Sequence, residues 1–292
     1  MADYLARAIG AGGNIRAFAV TTTDIVNEGR RRHDTWPTTT AALGRALTGT
    51  LLLSATLKDK NESVTLRIDG DGPIGGITCD GDEQGHVRGY VRNPHVDLDP
   101  NAHGKFDVAG AVGQGFVHVT RQLALEGLYT GTSEIISGEI AEDLAYYLTK
   151  SEQTPSAVAL GVRVAPDGTV VAAGGYLIQL MPATSEEERE QLEINIQAMG
   201  AVSTAVEEGS SPEEILASIL AGIDYKVLER REVVFQCRCS RERAVAVMAT
   251  IDPDEVEQMI AEDQGAEMTC HFCNEVYRLS AEELQQARQE QH

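Results

Sequence analysis

The sequence predicts an α+β fold in three parts: an N-terminal sheet-and-helix domain over residues 1–182, a helical linker over 183–231 and a small C-terminal domain over 232–292. Three observations predict it. Through the first 180 or so residues, apolar side chains alternate with polar ones at period two, and leucine stripes at steps of four interrupt the alternation. After Met181-Pro182 the chain turns abruptly charged. Four of the five cysteines then fall in the last quarter, in two close pairs. A chain of 292 residues is long enough for two domains and a connector.

In the N-terminal domain, Val64, Leu66 and Ile68 alternate with polar residues, which predicts a strand with one buried face. Val87, Gly89 and Val91 predict a second, Val117 and Val119 a third, and Ile135-Ile136 a fourth. Ser156 to Val164 and Thr169 to Leu180 read as a closing hairpin around the turn Pro166-Asp167-Gly168. Leu43, Leu47 and Leu51 place one apolar stripe on a helix from Pro37 to Leu57. Ile140, Leu144 and Leu148 repeat the pattern before Pro155. Strands with helices packed on them give the α+β class.

In the linker, Ser185 to Glu190 is a charged run, followed by Leu192, Ile196 and Met199 at helical spacing. Ser211-Pro-Glu-Glu places a hydroxyl at the N-cap, proline at N1 and Glu214 at N3, a capping box. Ile215, Leu216, Ile219 and Leu220 form the apolar face behind it. Helices shorter than about 12–15 residues are marginal alone in water, so these must lay their stripes on a neighbour. An ordinary helical linker and a switch element both fit.

The C-terminal domain is closely punctuated. Val233 to Phe235 predicts a short strand, Ser240 caps a helix through Met248, and Asp252-Pro-Asp-Glu opens a helix carrying Val256, Met259 and Ile260. Val276, Tyr277 and Leu279 predict a strand, and Ser280 caps the last helix. The cysteines read Cys237-x-Cys239, thirty intervening residues, then Cys270-x-x-Cys273. Four thiolates in two close pairs suit one tetrahedral Zn²⁺. A tight turn brings Cys270 and Cys273 together, and residues i and i+2 of an extended chain bring Cys237 and Cys239 to one side. His271 is a fifth donor by type, but four thiolates already fill the sphere.

So small a domain has little core of its own, and bound metal would supply its folding energy. Arg238, Arg241 and Arg243 flank the first pair and offset thiolate charge, which favours reactivity toward oxidants. The chemistry alone leaves a permanent structural zinc, in a module binding nucleic acid or one protein, and a redox switch both open. A thiol–disulfide enzyme fits less well, since its catalytic C-x-x-C would sit beside a thioredoxin-like βαβ unit.

Charge and composition narrow the partners. The formal net charge of −21 repels nucleic acid and anionic membranes. In 232–292, thirteen acidic residues face five basic ones, against a nucleic-acid ribbon. No targeting signal opens the sequence and no apolar run approaches the ~20 residues of a membrane span, so a cytoplasmic protein is expected. In that reducing compartment, clustered cysteines are metal ligands or redox groups more often than structural disulfides. No catalytic constellation stands out, and no enzyme is expected. Gly70-Asp-Gly-Pro-Ile-Gly-Gly lacks the lysine and hydroxyl of a phosphate loop and reads as a turn. Cys79 reads as a buried spectator thiol, and Arg30 to His33 as a charged loop paired with an acidic body, with binding of an acidic partner as the alternative.

Several segments in order carry a family likeness: Glu28-Gly-Arg-Arg-Arg-His-Asp-Thr-Trp-Pro, Ala41-Ala-Leu-Gly-Arg, Gly70-Asp-Gly-Pro-Ile-Gly, Gly174-Gly-Tyr-Leu-Ile-Gln-Leu-Met-Pro and Pro212-Glu-Glu-Ile-Leu. Cys237-Arg-Cys-Ser-Arg-Glu-Arg and Cys270-His-Phe-Cys-Asn complete them. On these the chain resembles, throughout its length, the redox-regulated heat-shock chaperones of the 33 kDa chaperonin family. The resemblance implies an ATP-independent holdase for unfolding client proteins under oxidative stress. It implies a reduced, inactive state with zinc on Cys237, Cys239, Cys270 and Cys273. Oxidation would then form the disulfides Cys237–Cys239 and Cys270–Cys273, release zinc, unfold the C-terminal domain and linker, and give an active homodimer. Melting of the marginal linker helices would expose both their apolar stripes and the surface beneath, a contiguous patch able to bind clients.

Overall fold

The structure, a computed structural model describing residues 2–102, 104–124, 127–248 and 250–289, divides after Gln236 into two units. The first unit begins with β1 (Tyr4–Gly10), β2 (Ile15–Thr21), α1 (Thr23–His33), α2 (Pro37–Ser54), β3 (Ser63–Gly70), β4 (Ile77–Asp82) and β5 (His86–Val91). It continues with α3 (Val108–Val112), β6 (Gly115–Leu123), β7 (Gly127–Glu134), α4 (Ala141–Lys150), β8 (Ser156–Val164) and β9 (Val170–Leu180). It ends with α5 (Glu186–Met199), α6 (Val202–Glu207), α7 (Pro212–Ile219), β10 (Tyr225–Glu232) and β11 (Val234–Phe235). The fold is α+β. One sheet has the order β10-β1-β2-β9-β8, and the other β11-β5-β4-β3-β6-β7. All pairings are antiparallel except β11 with β5.

Helix α2 lies between the two sheets, against β2, β8 and β9 of one and β3, β4 and β5 of the other. The leucine stripe predicted one buried face; instead sixteen of its eighteen residues are buried. Its buried hydroxyls tolerate this because they are bonded, within the helix for Thr48, whose Oγ1 donates to the Gly44 carbonyl at 2.8 Å, and Thr50, whose Oγ1 donates to the Ala46 carbonyl at 2.7 Å, and outside it for Thr38 and Thr39, which donate to Asp97 and the Val96 carbonyl. Small residues let neighbours approach. A Cβ on Gly44 would lie 2.6 Å from Val26 Cγ1.

The opposite face of the first sheet carries the linker helices. Ala6, Ala8, Ile15, Ala17, Ala19, Tyr176 and Ile178 meet Leu192, Val202, Ile215, Leu216, Ile219 and Leu220 in one buried cluster. Successive strand residues point to opposite faces, so Leu5, Phe18 and Val20 fall on the α2 side. The helices start on their own side chains. Ser185 with Glu188 and Ser211 with Glu214 each form a capping box.

Several expectations need correction. Arg30 to His33 is not a loop but the last turn of α1, where basic side chains suit the helix dipole; Arg31 and Arg32 both pair with Glu28. The strand placed at Ile135-Ile136 is β7, which ends at Glu134, although the Ile135 amide still bonds the Gly115 carbonyl. Residues 183–231 are not helical throughout, because β10 joins the first sheet at its edge. The turn after β3 is as expected, and its glycines are needed: a Cβ on Gly70 would lie 1.9 Å from the Val112 carbonyl oxygen. Cys79 is fully buried, and burial first, then the charge of Asp80, drives its thiol pKa far up.

The second unit comprises α8 (Arg241–Met248), α9 (Pro253–Asp263), β12 (Gly265–Thr269), β13 (Val276–Ser280) and α10 (Ala281–Gln289). Strands β12 and β13 form an antiparallel hairpin, of which the sequence reading gave only β13. Met248, Val256, Leu279 and Leu284 are the buried residues of its core. Among the described residues no helix is long and apolar enough to cross a membrane.

Candidate metal centre

Local chemistry in the second unit delivers each cysteine to one point. Cys270 and Cys273 stand in the loop of the β12–β13 hairpin. The Cys273 and Asn274 amides both donate to the Cys270 carbonyl, at 3.3 and 2.8 Å, and the Cys270 amide donates to the Glu275 carbonyl at 2.9 Å. Asn274 takes a left-handed conformation, with φ of 55°, which asparagine tolerates better than most residues. Cys237 and Cys239 lie in a segment that is neither helix nor strand, just before α8. Ser240 starts that helix, with its Oγ accepting from the Arg243 amide at 3.3 Å.

The four Sγ atoms lie within 4.8 Å of one another. Cys237 Sγ is 3.7 Å from Cys270 Sγ, and Cys239 Sγ is 3.4 Å from Cys273 Sγ. A tetrahedron with Zn–S bonds of about 2.3 Å has sulfur–sulfur edges of about 3.8 Å. Close approaches between the two sequence pairs place all four sulfurs around one centre. All five cysteines are free thiols. His271 is not among the donors the structure brings together.

Electrostatics point the same way. Burial first, and then the neighbouring Cys237 sulfur, raise the Cys270 thiol pKa, while a hydrogen bond from the Phe272 amide opposes them. Burial and the sulfurs of Cys239 and Cys237 raise that of Cys273 well beyond the ordinary range, against the Glu275 amide. Four thiolates so close repel one another, and a bound dication reverses that penalty. The donor set fits a soft, tetrahedral metal ion.

Two features escaped sequence reasoning. The Tyr277 hydroxyl donates to Cys239 Sγ at 3.1 Å, and this bond, followed by burial, raises its own pKa. The available signal was its place on the strand returning from the cysteine loop. Two of the arginines also make bonds that sequence reasoning did not give. Arg241 makes a two-pronged pair with Glu283, 2.8 Å at each prong, and bonds the Arg278 carbonyl, while Arg243 bonds the Arg238 carbonyl at 2.6 Å. They tie α8 to α10 and to the chain around the cysteines.

Comparison with known proteins gives a consistent result. Residues 3–280 match the family model described as Hsp33 protein. A 33 kDa chaperonin of Symbiobacterium thermophilum is 67% identical over 288 residues, covering 99% of this chain and 98% of that protein. A 33 kDa chaperonin of Geobacillus is 50% identical over 290 residues, with 99% and 98% covered. The crystal structure of the 33 kDa chaperonin from Thermotoga maritima superposes with a TM-score of 0.92 at 37% identity, covering 100% of this chain and 99% of that one.

Proposed function

This chain belongs to the Hsp33 family, a family of chaperones, and from that premise we propose that it is a redox-regulated, ATP-independent holdase of the cytoplasm. The observation that carries the reading is the cluster of four sulfurs within 4.8 Å, set in a unit with only a small apolar core. In the reduced state Cys237, Cys239, Cys270 and Cys273 hold one Zn²⁺ as thiolates. The bound ion supplies folding free energy, of the order of ~10–16 kcal/mol in small zinc domains.

Oxidation removes the ligands. Each disulfide forms as two thiolates give two electrons to an oxidant such as peroxide, which takes up two protons and leaves as two waters. The bonds that form are Cys237–Cys239 and Cys270–Cys273. The functional parts are then 1–182, which persists, and 183–231 and 232–292, which unfold. Departure of α5–α7 uncovers Ile15, Tyr176 and Ile178 on the sheet and Leu192, Ile215 and Leu216 on the helices. Unfolding clients bind this surface, and the active form is a homodimer. The net charge of −21 keeps such a species dispersed and away from nucleic acid and membranes.

Zinc content, thiol count and light scattering of a heat-aggregating client, followed together during peroxide treatment, test the reading. One zinc should leave for every four thiols lost, and protection of the client should rise with it. Complete loss of zinc with no gain in protection would overturn the proposal.

A further inference from the structure

The sulfurs of the cysteine site are not held alike. Those of Cys270 and Cys273 accept main-chain amides, from Phe272 and Glu275, which the turn of the hairpin loop supplies whatever side chains it carries. Cys239 accepts from a side chain: the Tyr277 hydroxyl donates to its Sγ at 3.1 Å, across 38 residues of sequence. Tyr277 stands opposite Met268 in the β12–β13 ladder. Successive strand residues face opposite ways, so Tyr277 shares the face of Leu279, which is buried in the small core with Met248, Val256 and Leu284. Its ring is thus half-buried at the loop end of the hairpin, and its hydroxyl reaches the segment before α8.

A thiolate that holds a metal ion is ionised outright. A donor beside it therefore adds nothing to the thiolate fraction and acts on the sulfur lone pairs alone. By sharing them it lowers nucleophilicity, which falls as the sulfur becomes less basic. The step at stake is attack by Cys239 on an oxidant such as peroxide. The sulfur attacks one oxygen: the S–O bond forms, the O–O bond breaks, and hydroxide leaves and takes up a proton as water. The Cys237 thiolate then attacks the sulfenic sulfur, the S–S bond forms, and a second hydroxide leaves and becomes water. Two thiolates have given two electrons to the peroxide. The lone pair spent in the first attack is the one that Tyr277 engages.

We propose that Tyr277 is a reactivity-setting residue, whose hydrogen bond damps the Cys239 thiolate and so sets the rate at which that sulfur reacts with oxidants and other electrophiles. The inference rests on the reading above, in which the four thiolates hold a metal ion and are oxidised. The amides on Cys270 and Cys273 belong to the main chain and are fixed by the turn. The donor on Cys239 is one atom at the end of a ring, so it can be removed while the ring and the strand stay in place.

Tyr277→Phe in the full-length reduced protein tests this, and it should still load one Zn²⁺ per chain. Alkylation by iodoacetamide, resolved residue by residue by mass spectrometry, should show an initial rate at Cys239 about threefold to tenfold above wild type. The initial rate at Cys273, which keeps the Glu275 amide, should not change. Loaded with Co²⁺ instead, the variant should show its sulfur-to-metal absorption band at longer wavelength, because losing the donor raises the energy of the sulfur lone pairs. A merely structural tyrosine would leave that band in place. The proposal is overturned if Cys239 reacts at the wild-type rate, if Cys273 speeds up in parallel, as in a site loosened throughout, if the cobalt band does not move, or if the variant sheds its metal before any reagent is added. A wild type that loads no metal would sink the metal reading and this inference together, and that failure would be seen at the loading step, before any variant is compared.

Discussion

The five-stranded sheet carries apolar helices on both faces, and the two layers differ in how they are held. On one face α2 meets a second sheet, and sixteen of its eighteen residues are buried. On the other, α5 buries only Leu192 and Asn195 of its fourteen residues, and its outer side presents Glu186, Glu187, Glu190 and Glu193 to water. α2 cannot leave without dismantling two sheets. The linker helices are covered on one stripe each, and their capping boxes lie within their own segments. The two layers therefore differ in the second side of their helices rather than in the apolar stripe that both possess.

Equal truncations on the two faces give the widest separation. Leu47 on α2 and Leu216 on α7 are both completely buried. Leu47→Ala should cost about 2–5 kcal/mol in global stability, the usual range for a large-to-small core change, and lower the melting temperature of the main transition. Leu216→Ala removes the same atoms, but its global cost is capped at the free energy that holds the linker down. It should speed hydrogen exchange of the α7 amides at least tenfold and move the main thermal transition far less. If calorimetry shows equal shifts for the two variants, the two layers form one cooperative unit and the distinction fails.

A pH experiment addresses the α2 side alone. Asp3 precedes β1 and is nearly buried; its Oδ2 accepts from the Ile25 amide of α1 at 2.9 Å, and its Oδ1 has no partner. Burial first, with a contribution from Asp24, raises its pKa from 3.8 to about 6. The folded state thus holds a proton that the unfolded state gives up. The resulting stabilisation is complete below pH 3.8, and it is lost as pH rises through about 6. Its size is on the order of 3 kcal/mol. Asp3→Asn should keep the bond to Ile25 and flatten the fall in melting temperature between pH 5 and pH 7.5, leaving α7 exchange as it was. A wild-type melting temperature that does not fall over that interval, or an unaltered fall in the variant, would remove Asp3 from the account.

These contrasts also show which parts of the molecule could be read from its residues. The grouping of the cysteines was legible because donor chemistry depends on residue type and local spacing, and Cys237, Cys239, Cys270 and Cys273 do converge. The capping boxes at Ser211 and Ser280 were legible for the same reason. β1 and β2 were not. Their inner face is Ala6, Ala8, Ala17 and Ala19, poor strand formers that are small because helices lie on them. β10, with its Lys-Val-Leu-Glu-Arg-Arg-Glu run, carries the charges that protect a sheet edge and so looks like linker. α1 was obscured by its basic last turn, and Gly29 within it is small because a Cβ there would lie 3.2 Å from Leu47. In each case the deciding partner lies far away in sequence.

The smallest test bears on the caps. Ser211 Oγ accepts from the Glu214 amide at 3.3 Å and donates to Glu214 Oε2 at 2.7 Å. Losing such a cap costs about 1 kcal/mol, which is about a fivefold change in an opening equilibrium. α7 has eight residues, too few to stand alone in water, so the loss cannot be absorbed along the helix. Ser211→Ala should therefore speed α7 exchange about fivefold while the main thermal transition stays in place. The matching change on the other face is Asp97→Ala, since α2 lacks a capping side chain at Trp36 and Asp97 Oδ1 accepts from the Thr38 amide at 3.2 Å instead. Amides in the middle of α2 open only with the whole first unit, so Asp97→Ala should alter their exchange only as much as it lowers the melting temperature. If Ser211→Ala moved the α2 amides in parallel with those of α7, the sheet would have one layer of stability rather than two, and release of the linker would require unfolding of the core itself.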